Sequence, residues 1–132
     1  MILIVDTNVI LETHRTGSWR ALSTRHSIET VEKRVKETQT GAHKRDSKHR
    51  IDENSLRESL SAVHTVTAKQ RVTALELNND YSSLDLGERD LWAHVISRTD
   101  DWMFCGPDIA SLKFGIRTGY RDHLVALERL LI

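Results

Sequence analysis

The chain opens on an apolar, largely β-branched run, Met1-Ile2-Leu3-Ile4-Val5, that stops on Asp6-Thr7-Asn8. A run this short and this apolar reads as a buried strand, and the polar residues after it as the turn that ends it. A second such run, Trp102-Met103-Phe104-Cys105, stops on Gly106-Pro107-Asp108. The segments between the two runs carry helical spacing. Strands joined through helices pair in parallel, and a parallel sheet needs helices on its faces. The chain is therefore expected to be α/β. In open sheets of that class ligands bind at the carboxyl ends of the strands, which is where Asp6 and Asp108 would lie.

The intervening elements follow from periodicity. Val9, Ile10, Thr13, Trp19 and Leu22 recur at roughly helical spacing, which predicts a helix interrupted near Gly17. A short strand is expected around 26–28, then a helix from about Thr30 to Thr40 stopped by Gly41. Leu56, Leu60 and Val63 stand at i, i+4 and i+7, the stripe of an amphipathic helix. Thr67-Ala68-Lys69-Gln70 has the capping-box pattern, so a helix begins at 68 and ends at Asn78-Asn79-Asp80. Residues 88–98 form another, with Leu91, Val95 and Ile96 inward. A helix from 109 to about 118 is capped by Gly119. Leu124, Leu127 and Leu131 predict a last amphipathic helix over 121–131.

Composition narrows the class. A chain of 132 residues is the size of one domain with one core. Nineteen basic residues balance nineteen acidic ones, so an argument for nucleic-acid binding has to be local. The local feature is the segment 43–50, which has no apolar residue and carries Lys44, Arg45, Lys48 and Arg50 with His43 and His49. It reads as an exposed loop able to meet phosphate charge, or simply as a solvated surface loop. The single Cys105 cannot form an internal disulfide, which suits a reducing cytoplasm. No run approaches the ~20 apolar residues of a membrane span. The short N-terminal run has no basic leader and reads as a core strand, not a signal peptide.

The acids at element boundaries carry the chemistry. Asp6 ends the first strand, Glu29 and Glu32 open the second helix, Asp85, Glu88 and Asp90 lie at a later helix start, and Asp108 follows the second apolar run. In a parallel sheet those positions share one edge. Carboxylates within ~4–6 Å of one another repel and raise each other's pKa, so such a cluster calls for a cation. Oxygen ligands select Mg²⁺ or Mn²⁺. Such ions activate water and neutralise a phosphodiester, and a pair ~3.5–4 Å apart clamps both reacting oxygens. Each acid also has an ordinary reading, as a helix cap or a first-turn acid facing the dipole.

Three segments together resemble the PIN domain, the fold of many small bacterial ribonucleases including VapC-type toxins. They are Ile2-Leu-Ile-Val-Asp6-Thr-Asn-Val-Ile10, Leu86-Gly-Glu88-Arg-Asp90-Leu-Trp-Ala93, and Phe104-Cys-Gly-Pro-Asp108-Ile-Ala-Ser111 followed by Gly115-Ile-Arg-Thr-Gly119. The resemblance spans nearly the whole chain. It implies a single three-layer α/β/α domain over 1–132 with a central parallel sheet of about four strands. It implies metal-dependent phosphodiester hydrolysis by an endoribonuclease, with a metal-activated water as nucleophile and no covalent intermediate. Asp6 matches the first family acid and Asp108 the fourth. Glu32 or Glu29 matches the second, with Glu32 preferred and Glu37 a poorer fit two turns into its helix. Glu88 or Asp90 matches the third. Asp6, Asp90 and Asp108 would hold the metal, Mg²⁺ or Mn²⁺. Thr7, Asn8 and Glu29 would orient those ligands or metal-bound water. An RNA substrate, a homodimer and an antitoxin that covers the acidic edge are the implied partners.

Other readings compete. One is a fold kept without turnover, as a PIN-like nucleic-acid or protein-binding module. A haloacid-dehalogenase-type phosphatase wants an aspartate where Asn8 stands, and the receiver-domain arrangement of acids and lysine is missing. There is no GxGxxG and no P-loop. His26, His64, His94 and His123 show no metal-ligand spacing and read as structural or surface residues. His14 and Arg15 read as a surface helix face, Trp19, Trp92 and Trp102 as core or dimer contacts, and Cys105 as inert.

Overall fold

In a computed structural model that describes residues 1–40 and 50–131, the predicted first strand is β1, Ile2–Val5. Gly17, at φ +76°, separates α1 (Thr7–Arg15) from α2 (Trp19–Arg25), as the interrupted periodicity requires. The chain continues through β2 (Ser27–Val31), α3 (Glu32–Gln39), α4 (Glu53–Ser59), β3 (Ala62–His64) and α5 (Ala68–Leu77). A 3₁₀ turn at Asn79–Ser83 leads to α6 (Leu86–Ile96), then β4 (Met103–Cys105) and α7 (Ile109–Arg117). A second 3₁₀ turn, Arg121–His123, precedes β5 (Leu124–Val125) and α8 (Leu127–Leu130). The capping box forms as predicted, with the Thr67 hydroxyl and the Gln70 side chain each accepting from the other's backbone N–H.

All five strands are parallel, in the order β3-β2-β1-β4-β5. The chain runs outward from β1 through β2 to β3, then returns to place β4 on the other side of β1. Between β1 and β4 lies the switch point at which such sheets bind ligands. Val5 pairs with Cys105, so Asp6 and Gly106 leave the sheet side by side.

Alternate residues of the strands feed two cores, which makes the layers. Leu3, Val5 and Ile28 pack with Val9, Ile10, Trp19, Leu22, Val35 and Leu56 on one face. Ile4, Val31 and Phe104 pack with Ala74, Leu91, Trp92 and Phe114 on the other. Trp92 is fully buried among Trp102, Phe104, Phe114 and Tyr120, and its indole N–H donates to Ser111 Oγ at 3.2 Å. Trp19 and Trp102 are buried too, so all three tryptophans are core.

Two expected helices are partly strand. Val63 fits the stripe begun by Leu56 and Leu60, but α4 ends at Ser59 and residues 62–64 pair with β2. Likewise 124–125 add to β4 as a fifth strand, and the tail helix shrinks to Leu127–Leu130. Both are edge strands of two or three residues, too short for a period to show. Pairing with an open sheet edge overrides local spacing there. Lys44, Arg45 and Lys48 lie outside the described residues, and Arg50 is exposed. No helix among the described residues is long and apolar enough to cross a membrane.

Candidate metal centre at the carboxyl edge of the sheet

Three aspartates reach the switch point as helix caps. Asp6 is extended at φ −93° and ψ 177° and its Oδ1 accepts from the Val9 N–H at 2.9 Å. Asp85 Oδ1 accepts from the Glu88 N–H at 2.8 Å at the start of α6. Asp108 Oδ1 accepts from the Ser111 N–H at 2.8 Å at the start of α7. Gly106 makes the last placement possible. Its φ is +67°, and a Cβ there would come within 2.8 Å of Val9 Cγ2. Capping and ligation are therefore not alternatives for these residues. Each cap occupies Oδ1 and leaves Oδ2 outside the capping bond.

Glu88 completes the group. Oxygens of Asp85, Glu88 and Asp108 lie within 4.8 Å of one another. Asp6 lies outside that 4.8 Å group but near enough to feel the charges of Asp108 and Asp85. Asp6 and Glu88 are buried, only 6% and 5% exposed, while Asp85 and Asp108 are exposed. Glu88 Oε2 is buried and has no hydrogen-bond partner. A buried carboxylate oxygen in that condition costs free energy unless a proton or a cation satisfies it. Burial, then the carboxylates of Asp108 and Asp85, push Glu88 up to about 8. Asp6 is also raised, first by burial and then by Asp108 and Asp85, against the Val9 N–H and Arg34. Burial pulls Asp108 upward too, but Glu88 and the Ser111 N–H hold it below its ordinary value. Without a cation, then, the cluster keeps a proton at neutral pH.

Arg34 and Glu37 brace this edge from α3. Arg34 is buried, donates to Glu37 at 2.8 Å and stands 3.6 Å from Asp85. It lies against Gly87, where any Cβ would fall on its guanidinium. Its Nε, like Glu88 Oε2, is buried without a partner. Thr7 Oγ1 donates to Glu37 at 3.0 Å and to the Arg34 carbonyl at 3.3 Å, tying α1 to α3 immediately after Asp6. Asn8 is exposed on the next position of α1.

The structure thus brings Glu88 and Asp108 together with Asp85, an edge acid in the sequence that the resemblance matches to no site position, and sets Asp6 beside them. It does not bring in the other expected acids. Glu32 leaves α3 toward α4 and pairs in bidentate fashion with Arg57, at 2.9 and 3.0 Å. Arg57 holds it below its ordinary pKa. Asp90 is turned out to Arg71 at 3.0 Å, because two residues on a helix turn the side chain through more than half a circle from Glu88. Glu29 points from mid-β2 into a second cluster. Glu37, the poorer sequence candidate, is the α3 acid at this edge. Its i, i+3 spacing from Arg34 is the sequence signal that would have found both.

A second cluster gathers two of the histidines. Atoms of Glu29, His64 and His94 also lie within 4.8 Å of one another, although their sequence spacing shows nothing. His64 Nε2 is 2.6 Å from Glu29, and the His64 and His94 rings stack at 3.8 Å. Here, however, a cation is already built in. The Arg98 guanidinium donates to Glu29 at 2.7 Å and to His94 Nε2 at 3.0 Å, and it reaches Asp100 at 2.6 Å. Burial alone would raise Glu29, but Arg98 and His64 hold it low. Burial, with His64 and Arg98, pushes His94 down to about 4, so it is neutral and accepts from Arg98. This cluster is complete within the chain; the one at the switch point is not.

The remaining candidates are structural. His14 Nδ1 meets the Ile10 carbonyl at 2.7 Å and stacks on Trp19, and Arg15 pairs with Glu12. Burial, then the charges of Asp6 and Glu128, push the Cys105 thiol up to about 12, which makes it a poor nucleophile. No protein-family model, curated protein or solved structure matches the chain.

Proposed function

We propose that this protein is a Mg²⁺- or Mn²⁺-dependent endonuclease that hydrolyses phosphodiester bonds in RNA. The observation that carries this reading is Glu88 Oε2, buried and unpartnered in a set of carboxylates at the sheet's switch point. Asp6, Asp85, Glu88 and Asp108 fit a hard divalent ion by their oxygen chemistry and would hold it. A bound ion would supply neutralisation of phosphate charge and a more acidic water. The chain's own groups do the rest. Asp85 and Asp108 face solvent, where a nucleic-acid backbone can approach. Asp6 and Glu88 are buried, away from bulk water. The Thr7–Glu37–Arg34 contacts fix the start of α1, and with it Asp6, against α3.

The resemblance to the PIN domain extends the proposal to a cytoplasmic toxin ribonuclease that forms a homodimer and is inhibited by an antitoxin over the acidic edge. The basic segment with Lys44, Arg45, Lys48 and Arg50 would then meet the RNA backbone. Hydrolysis of single-stranded RNA in Mg²⁺ or Mn²⁺, abolished by EDTA and by Asp6→Asn and Asp108→Asn, is the expected result. Full activity in EDTA, or in both variants, refutes it. One observation favours a non-catalytic binding module instead. Arg34, 3.6 Å from Asp85, already neutralises part of the cluster. Calorimetric titration decides, since such a module takes up no divalent ion at Asp6.

A further inference from the structure

A cleft of about 500 Å³ opens beside the acidic edge, between the start of α1 and the β5–α8 corner. It adjoins the cluster at two points. Asn8 in its wall is two residues past Asp6, and Pro107 is the residue before Asp108. Leu112, Leu124 and Leu127 make much of the rest of it apolar. Its polar groups are few. Asn8 is exposed, and its side-chain amide has no hydrogen bond among the described residues. Glu12 is taken up by Arg15 through two hydrogen bonds. Glu128 is exposed and has no ion pair among the described residues.

We propose that this cleft binds one unstacked nucleobase of a single-stranded substrate, and that it prefers bases with an exocyclic amino group. The proposal rests on the nuclease reading for the placement of the adjoining phosphate. The cleft has the size and the mostly apolar lining of a small-molecule site, with a few convergent polar groups. The carboxylates of Glu12 and Glu128 in its lining repel phosphate, so the backbone would stay with a cation held at the neighbouring cluster and the base would be the part that enters. A base can enter only if it has left its stack, which selects single strands over duplex. Glu128 can accept but not donate. It rewards the amino group of adenine, cytosine or guanine and gives nothing to the carbonyl at the matching position of uracil. Asn8 supplies both a donor and an acceptor for the remaining edge.

Uncharged nucleosides test the cleft apart from the metal. Adenosine, cytidine and uridine are titrated into the ¹⁵N-labelled full chain while the amide signals of Asn8, Gly106 and Leu127 are followed. Adenosine and cytidine should give saturable shifts there, with uridine about tenfold weaker, the worth of one hydrogen bond to a charged group. Glu128→Ala should erase the difference between cytidine and uridine, and Leu127→Trp should fill the cleft and abolish the shifts. Glu128 is exposed, so its variant reports even if Leu127→Trp fails to fold. No shift with any nucleoside, or equal shifts with cytidine and uridine, overturns the proposal. So does displacement of nothing but an apolar peptide probe, which would make the cleft a protein-docking site. Mn²⁺ broadening of the Asp85, Glu88 and Asp108 amides is read in the same samples. Broadening with silent nucleosides removes the base site alone, and bound nucleosides without broadening remove the nuclease reading alone.

Discussion

If Glu88 keeps a proton for want of a cation, the stability of the metal-free protein must depend on pH in a way that Glu88→Gln removes. Glu88 ionises near 4.5 in an unfolded chain and at about 8 in the fold. A raised folded-state pKa contributes stability that is fully present below 4.5 and is lost as pH rises through 8. At ~1.4 kcal/mol per pH over that window, Glu88 alone would account for at most about 5 kcal/mol. Two effects reduce it. Asp108 is held low by the same neighbour, which is a linkage of opposite sign. Asp85 and Asp108 are also open to water, which screens their charge. A net loss on the order of 2 kcal/mol is what remains. The assay is urea denaturation in EDTA at intervals from pH 5 to pH 8.5, wild type beside Glu88→Gln. The wild-type midpoint should fall across the window while the variant's stays nearly level, and added Mg²⁺ should restore the wild type at pH 8 by binding only the folded state. Parallel curves for the two proteins would refute both the protonated carboxyl and the argument that the cluster lacks a cation.

The second cluster should behave oppositely. Arg98→Ala leaves Glu29 buried without its cation and should cost about 3 kcal/mol by chemical denaturation, whereas Arg57→Ala, at the half-exposed Glu32 pair, should cost under about 1 kcal/mol. A loss from Arg98→Ala no greater than that from Arg57→Ala would sink the distinction. His94, depressed to about 4 by burial and by its cationic neighbours, contributes stability that is present above 6.5 and lost as pH falls toward 4. In denaturation at those pH values His94→Gln should lose the part of the slope that His94 carries, and an unchanged slope would contradict its neutrality. Asp90→Ala should leave divalent-dependent RNA hydrolysis within about twofold of wild type, because Asp90 faces Arg71 and not the cluster, and a loss as deep as that of Asp108→Asn would place it in the site after all.

What the sequence revealed was set by where each signal is local. The strand that ends at Asp6, the capping box at Thr67, the break at Gly17 and the helix that starts at Asp108 each depend on a few adjacent residues, and each stands where the pattern puts it. Strands β3 and β5 do not. They exist because an open edge of the sheet accepts them, and nothing in three residues announces that. The acids divide the same way. Asp6 and Asp108 follow buried strands, so the topology alone aims them at the edge. Glu29, Glu32 and Asp90 sit within a turn of the right place, but one residue of strand or two of helix reverses a side chain, and basic partners from other elements then fix them elsewhere.

The two clusters show why proximity of ligand-type side chains is a weak criterion alone. Both place three candidate ligand atoms within 4.8 Å, and the Glu29 group has the softer donors. What separates them is satisfaction. Around Glu29, Arg98 donates to a carboxylate and to a neutral imidazole at ordinary hydrogen-bond distances, so a metal entering there would have to expel a guanidinium from both. Around Glu88 the nearest guanidinium, Arg34, is spent on Glu37 and stands 3.6 Å from Asp85, leaving Glu88 Oε2 with no donor. The positive charge that this edge lacks must therefore come from a proton or from outside. A proton would leave a carboxylic acid where the sheet topology favours a ligand, whereas a divalent cation would satisfy Glu88 and, on the proposed nuclease reading, would meet a phosphate with the same charge.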